Sequence, residues 1–232
     1  VIVKLLSYQH GVFAGAVRGA HGKEKRGIYQ PGNLVQAHWS ARLSEHLGNL
    51  SCEMLEPMAA FYFNKPLHLA AMTSILAMVE MFLVGREPKP IIFGYLWNLL
   101  EHLKQDADWM PAYVRFELAL LEEAGFGLDY QHCAVTGQTH DLAYVSPKTG
   151  RAVCRVEGEL WKDKLLALPH FLQKSAEICA IEPYQVLDGL RLTGYFFEHR
   201  VCEPHGWKLP QSRVRFEQMM RQRVETSILI PA

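Results

Sequence analysis

Four cations, Arg18, Lys23, Lys25 and Arg26, crowd into the segment Arg18-Gly19-Ala20-His21-Gly22-Lys23-Glu24-Lys25-Arg26-Gly27. Lys and Arg neutralise phosphate, and glycine lets a backbone approach it closely. Set between two strands, such a segment suits the phosphates of a nucleic acid. By composition alone it suits a solvated basic loop equally well. It is not the phosphate loop of nucleotide hydrolases, which needs Gly, four residues, then Gly-Lys-Ser/Thr. Here only Ala20 and His21 separate Gly19 from Gly22, and Glu24 follows Lys23. His38 falls on the polar face of a neighbouring strand and is expected to meet solvent or ligand. Tyr29 and Trp39 could stack on bases, but Trp39 falls on the apolar face, where a core role outweighs it.

Other reactive side chains make a weaker case. Cys133-Ala-Val-Thr136 and Cys154-Arg-Val-Glu157 flank a short hairpin. A zinc ribbon wants Cys-x-x-Cys on both sides, because tetrahedral zinc takes four thiolate or imidazole ligands. Thr136 and Glu157 stand where the second cysteines would be, and His132 and His140 have the wrong spacing. Two buried thiols are therefore expected, with no metal and no cofactor. No His-Glu-x-x-His, Gly-x-Ser-x-Gly or Gly-x-Gly-x-x-Gly occurs, so no covalent chemistry is expected. Glu122-Glu123 reads as a solvated helix end rather than an acid/base pair. Near the C-terminus Arg213, Arg215, Arg221 and Arg223 alternate with Val214, Phe216 and Met219. They form either a cationic helix face in water or a seat for an acidic peptide.

The elements that must position these residues change character near Glu56-Pro57. Before it, strands are expected at Val1–Ser7, Val12–Arg18, Leu34–Leu43 and Leu47–Glu53. In Leu34–Leu43 the period is two: Val35, Ala37, Trp39, Ala41 and Leu43 face one way, and Gln36, His38, Ser40 and Arg42 the other. Short strands with Gly-rich turns suggest a small barrel. After it come helices. Leu69, Met72, Leu76, Val79 and Leu83 mark the apolar stripe of the first. Further helices are expected at Ile92–Lys104, at Ala112–Glu123 with Gly125 as its cap, at Pro169–Ala180, from Tyr184 to about Arg200, and at Ser212–Val224 with Ser212 as N-cap. Leu142–Val145 and Arg151–Cys154 read as a hairpin turning on Ser146–Gly150.

Composition agrees with an ordinary globular chain: 232 residues, 49% hydrophobic and 21% charged. The net charge is zero, but it is unevenly spread. Residues 1–54 carry six Lys/Arg against three acids, residues 55–190 eleven against seventeen, and residues 191–232 seven against four. The basic ends can attract a polyanion locally. The longest apolar stretch, Leu69–Val84, is too short for a membrane span and holds Thr73, Ser74 and Glu80. An odd number of irregularly spaced cysteines suits reduced thiols in a cytoplasm. The chain opens on Val1-Ile2-Val3-Lys4-Leu5-Leu6, inside a strand-like run and without Met. It reads as starting partway into a longer protein, or from a misassigned start.

Phe116 to Asp129 (Phe-Glu-Leu-Ala-Leu-Leu-Glu-Glu-Ala-Gly-Phe-Gly-Leu-Asp), Cys133-Ala-Val-Thr-Gly137 and Tyr144-Val-Ser-Pro-Lys-Thr-Gly-Arg-Ala-Val153 together resemble the RecO family of DNA repair proteins of proteobacteria. Gly11-Val-Phe-Ala-Gly-Ala-Val-Arg-Gly19 and Gln30-Pro-Gly-Asn33 resemble its barrel. The resemblance implies an α+β chain. An N-terminal antiparallel oligonucleotide-binding (OB) barrel covers residues 1–55. A helical domain covers 56–232, with a degenerate zinc-ribbon-like hairpin inserted at about 132–158. No counterpart of the family's first barrel strand precedes Val1, and only two of the four zinc cysteines are kept. The implied activity is that of a recombination mediator in the RecF pathway, acting on DNA damage in the bacterial cytoplasm at the nucleoid. It binds single- and double-stranded DNA and anneals strands. With RecR it helps load RecA onto DNA coated with single-strand-binding protein. By the resemblance Arg18, Lys23, Lys25 and Arg26 contact DNA, and Arg115 grips the acidic C-terminal tail of single-strand-binding protein; His38, from its place on the polar strand face, is added to the DNA contacts. The competing readings are a nucleic-acid-processing enzyme and a scaffold that binds only proteins.

Overall fold

A computed structural model describes residues 1–23, 25–43, 46–173 and 181–229 of the chain. They divide into two compact units, Val1–Ala107 and Asp108–Ala232.

The first unit begins with four strands: β1 (Ile2–Ser7), β2 (Gly11–Ala16), β3 (Leu34–Ser40) and β4 (Gly48–Glu56). They form one sheet in the order β1-β2-β4-β3. β1 and β2 are an antiparallel hairpin, as are β3 and β4, with a bulge at Leu34/Val35. The two hairpins meet through a short parallel contact, Gly15 opposite Gly48 and Ala16 opposite Asn49. Glycine is needed there because Trp39 lies across it: a Cβ on Gly48 would sit 2.3 Å from Trp39 Cε2. Val17, Ala20, Leu50 and Cys52 form the core, with Val3, Leu5, Ile28, Tyr29, Val35 and Trp39 packed against them. The alternation expected along β3 therefore holds at Val35 and Trp39. It stops short at the far end, where the strand ends at Ser40, leaving Leu43 exposed, and Ala37 is exposed too. Among the described residues no pairing joins the edge strands β1 and β3, so the sheet is open.

Three helices complete this unit: α1 (Met58–Tyr62), α2 (Pro66–Phe82) and α3 (Pro90–Gln105). Pro66 and Pro90 open their helices where a missing N–H costs nothing. The buried face of α2 is His68, Ala71, Met72, Ser74, Ile75, Met78 and Val79, one step round from the stripe expected through Leu69 and Leu76. α2 is apolar on nearly every side, so its pattern does not fix its phase. α3 ends at Asp106 in the left-handed conformation, φ 56°, which Asp tolerates better than most residues. The Asp106 carboxylate accepts Lys65 Nζ at 2.8 Å and shares a hydrogen bond with His68 Nε2 at 2.7 Å. Lys65, followed by His68, holds that carboxyl below its ordinary range.

The second unit is built on α4 (Trp109–Glu123). Gly125, φ 85°, closes it: Phe126 N–H bonds Leu121 O at 2.8 Å, and Gly125 N–H bonds Glu122 O at 2.9 Å. Those are the two bonds of a Schellman cap. The expected hairpin forms as β5 (Leu142–Val145) and β6 (Ala152–Cys154), tightened by Gly150 N–H to Ser146 O at 2.8 Å. After the single turn α5 (Arg155–Gly158), β7 (Leu166–Ala167) adds an unforeseen third strand, in the order β6-β5-β7. A short turn, His170–Leu172, occupies the start of the helix expected at Pro169–Ala180, and residues 174–180 lie outside the described residues. α6 (Pro183–Phe196) opens on a reciprocal Glu182/Gln185 capping box and runs into a wide turn at Phe197–Cys202. α7 (Gln211–Leu229) begins at Gln211, so Ser212 lies within its first turn and is not the N-cap. Phe216 of α7 packs on Tyr113 of α4, ring centroids 4.5 Å apart. The chain is thus α+β: a sheet, then helices, with a small sheet inserted among them.

Candidate nucleic-acid interface

The loop from Arg18 to Asn33 is a run of turns that closes its own backbone bonds. Gly22 N–H donates to Gly19 O at 3.0 Å, and Lys25 and Arg26 N–H both donate to Gly22 O. The Asn33 amide donates to Gly27 O at 2.7 Å, while its oxygen accepts Ala59 N–H at 3.1 Å. Those amides are occupied and are not open to an anion. Arg18, Lys23, Lys25 and Arg26 are all exposed. Among the described residues none of the four takes part in an ion pair.

Beside the loop, where β2 and β4 run parallel, lies an open cleft of about 330 Å³. Arg18 and Lys25 line it together with Tyr29, Asn49 and Ser51, over Val17 and Leu50. His38 is exposed and stands directly opposite Ser51 across the β3/β4 ladder, which puts their side chains on one face. The structure thus brings Arg18, Lys25 and, through Ser51, His38 to one place. Lys23 and Arg26 are on the same loop but do not line the cleft. Asn49 and Ser51 were not singled out from sequence. The signal was there: alternation along β4 buries Leu50 and Cys52 and turns Asn49 and Ser51 outward.

Neither aromatic candidate is a free stacking platform. The Tyr29 hydroxyl accepts Cys52 N–H at 3.2 Å, which fixes its ring at the cleft wall. The Trp39 indole N–H donates to Ala14 O at 3.0 Å. Its ring meets Phe13 edge-on at 5.5 Å and lies under the Arg86 guanidinium at 4.5 Å.

In the second unit the cations are differently placed. Arg115, exposed on α4, donates from Nη2 to Phe171 O at 2.9 Å, with its guanidinium 5.6 Å from the Phe171 ring. The cationic face expected on α7 loses a member, because Arg213 is fully buried. Its Nε and Nη2 clasp Glu117 at 2.5 and 3.0 Å, Nη1 meets Glu217 at 3.0 Å, and Nη2 also reaches Leu190 O at 2.8 Å. Burial disfavours its charge, but Glu117 outweighs that and holds the proton on more firmly than in water. Arg215, Arg221 and Arg223 remain exposed, Arg221 3.5 Å from Glu217.

Cys133 and Cys154 are both buried and adjacent: Cys154 N–H points at Cys133 Sγ, 3.3 Å away. Burial pushes the Cys133 thiol up. The Thr136 hydroxyl and the backbone N–H groups of Thr136, Cys154 and Val135 outweigh it, bringing the thiol down to about 6. Among the described residues no three His, Cys, Asp or Glu side chains stand together as a metal-binding group. Glu122 and Glu123 lie exposed in the last turn of α4. Among the described residues no helix is long and apolar enough to cross a membrane.

Comparison with known proteins gives two family matches. The model described as "Recombination protein O N terminal" matches residues 1–58, and "Recombination protein O C terminal" matches residues 64–208. Among curated proteins, a "DNA repair protein RecO" of Rhodospirillum rubrum is 46% identical over 227 residues, covering 96% of this chain and 90% of that one. Another from Rhodospirillum centenum is 44% identical over 230 residues, covering 98% and 90%. One from Bartonella quintana is 41% identical over 223 residues, covering 96% and 91%.

Proposed function

The chain belongs to the RecO family of DNA repair and recombination proteins, and from that premise we propose that it is a recombination mediator that works by binding alone. Residues 1–55 hold DNA, and residues 56–232 take protein partners. The observation that carries this reading is the set of exposed cations on one loop, Arg18, Lys23, Lys25 and Arg26, unpaired among the described residues, with Arg18 and Lys25 lining a cleft. Cations already neutralised by an acid release few counterions from a nucleic acid, whereas these are free to do so. The short four-stranded sheet, unpaired at its β1 and β3 edges among the described residues, supports reading these residues as part of the five-stranded, partly open OB-type barrel.

On this reading the protein binds single and double strands and anneals complementary ones. Arg115, steadied by the Phe171 carbonyl, takes the acidic C-terminal tail of single-strand-binding protein. RecR is its partner in loading RecA, and it works in the cytoplasm at the nucleoid, making and breaking no covalent bond. The hairpin around Cys133 and Cys154 holds its shape through sulfur hydrogen bonds in place of a zinc ribbon.

The test is binding of labelled single and double strands across a salt series, with annealing of complementary strands coated by single-strand-binding protein. Binding at low salt whose logarithm falls linearly with the logarithm of salt, together with faster annealing, is the expected result. No binding in dilute buffer, or turnover of the strands with divalent metal, overturns it.

A further inference from the structure

The cleft between β2 and β4 has a size and a division of chemistry that go beyond a phosphate grip. Its volume, about 330 Å³, lies at the lower end of small-ligand pockets, which run from about 300 to 1,000 Å³. One nucleotide unit fits such a space. Arg18 and Lys25 offer positive charge on one side. On the other, Asn49 and Ser51 project from β4, and neither side chain has a hydrogen-bond partner among the described residues. Tyr29, held by its bond from Cys52 N–H, is part of the lining, and Val17 and Leu50 are buried beneath. Phosphate and base edge each have a counterpart. An Asn amide both donates and accepts, which suits the edge of an unpaired base, and a Ser hydroxyl suits either polarity.

We propose that this cleft receives one unpaired nucleotide of a single strand, its phosphate at Arg18 and Lys25 and its base edge at Asn49 and Ser51. The inference rests on the DNA-binding reading above and adds a preference to it. In a duplex the Watson–Crick edges face the partner base, so a double strand meets the loop cations but leaves Asn49 and Ser51 unused. The cations therefore serve both substrates, whereas the two β4 side chains serve only the single strand.

Asn49→Ala/Ser51→Ala alters two exposed side chains, and Ser51→Phe fills the cleft with a ring. Affinity is measured by fluorescence anisotropy for a single strand and for the matching duplex. Strands carrying 2-aminopurine report unstacking. The double variant is expected to bind the single strand about tenfold more weakly, roughly two ordinary hydrogen bonds, with duplex affinity and salt slope unchanged. Ser51→Phe is expected to do the same and to abolish the 2-aminopurine signal. Equal losses on both substrates, or no loss on either, overturn the nucleotide pocket while leaving DNA binding intact. A wild-type chain that binds neither substrate overturns the underlying reading instead.

Discussion

Arg213 and Arg26 carry the same guanidinium in opposite settings. Around Arg213 every direction is taken: Glu117, Glu217, the Leu190 carbonyl and the Thr193 hydroxyl surround it, and water does not reach it. Arg26, with Arg18, Lys23 and Lys25, stands exposed on a loop with no acid paired to it among the described residues. The first arrangement fixes helices and has no charge left for a ligand. The second contributes little to the fold and keeps its charge for a partner. A cation's role here follows from where the nearest carboxylate sits, not from the cation itself.

The largest effect comes from breaking the buried side. Arg213→Met leaves Glu117 buried without its counter-ion, which costs about 3–5 kcal/mol in comparable cases. Denaturant unfolding should show that loss. Glu117→Leu/Arg213→Met, which removes both charges, should recover most of it, because a buried pair often stabilises no more than an apolar replacement. If Arg213→Met alone is nearly neutral, the pair is not the clasp the geometry describes.

The opposite outcome is expected at the loop. Lys23→Ala/Lys25→Ala/Arg26→Ala should change stability by less than about 0.5 kcal/mol, as for surface sites generally. It should flatten the logarithmic salt dependence of single-strand binding by about 2, at about 0.7 for each lost phosphate contact. An unchanged slope would remove these side chains from the interface and erase the contrast with Arg213.

The sequence marked the loop but not the clasp. Four cations among glycines are visible as a cluster, whereas their nearness to Asn49 and Ser51 depends on a parallel strand contact that no local pattern announces. The hairpin at β5/β6 and the cap at Gly125 were legible, because turn chemistry is local. The phase of α2 was not, since an apolar residue on every side leaves the stripe undetermined. Arg213 looked like a member of a solvated face. Yet Arg213, Phe216 and Met220 fall at i, i+3 and i+7, the spacing of a buried stripe, and all three are buried. β7 was missed because two residues, Leu166 and Ala167, carry no period.

Cys133 is a third setting, an acid held by neutral donors rather than by a counter-ion. Its thiol is brought from an ordinary 9.0 to about 6 in the folded chain. The folded state then binds fewer protons than the unfolded one between those values. Stability from this group is fully present above about pH 9, declines as pH falls, and is lost through pH 6. Thr136→Val removes one donor. It should raise the thiol's titration midpoint, read by ultraviolet thiolate absorbance, and narrow that pH window. A midpoint near 9.0 in the unaltered chain would mean that the N–H groups do not cradle the sulfur.

The smallest effect is the sharpest test of the comparison. Lys162 is exposed like the loop cations, but its Nζ lies 2.8 Å from Glu159, whose other oxygen accepts the Tyr144 hydroxyl at 3.0 Å. Exposure alone would make it a DNA contact; pairing predicts otherwise. Lys162→Ala should leave the salt slope of single-strand binding unchanged, because Glu159 already neutralises the charge it would bring. Glu159→Gln frees Lys162 and should steepen that slope if DNA passes near this hairpin. A slope that falls on Lys162→Ala as much as on loss of a loop lysine would show that exposure, not the absence of a paired acid, selects the cations that meet phosphate.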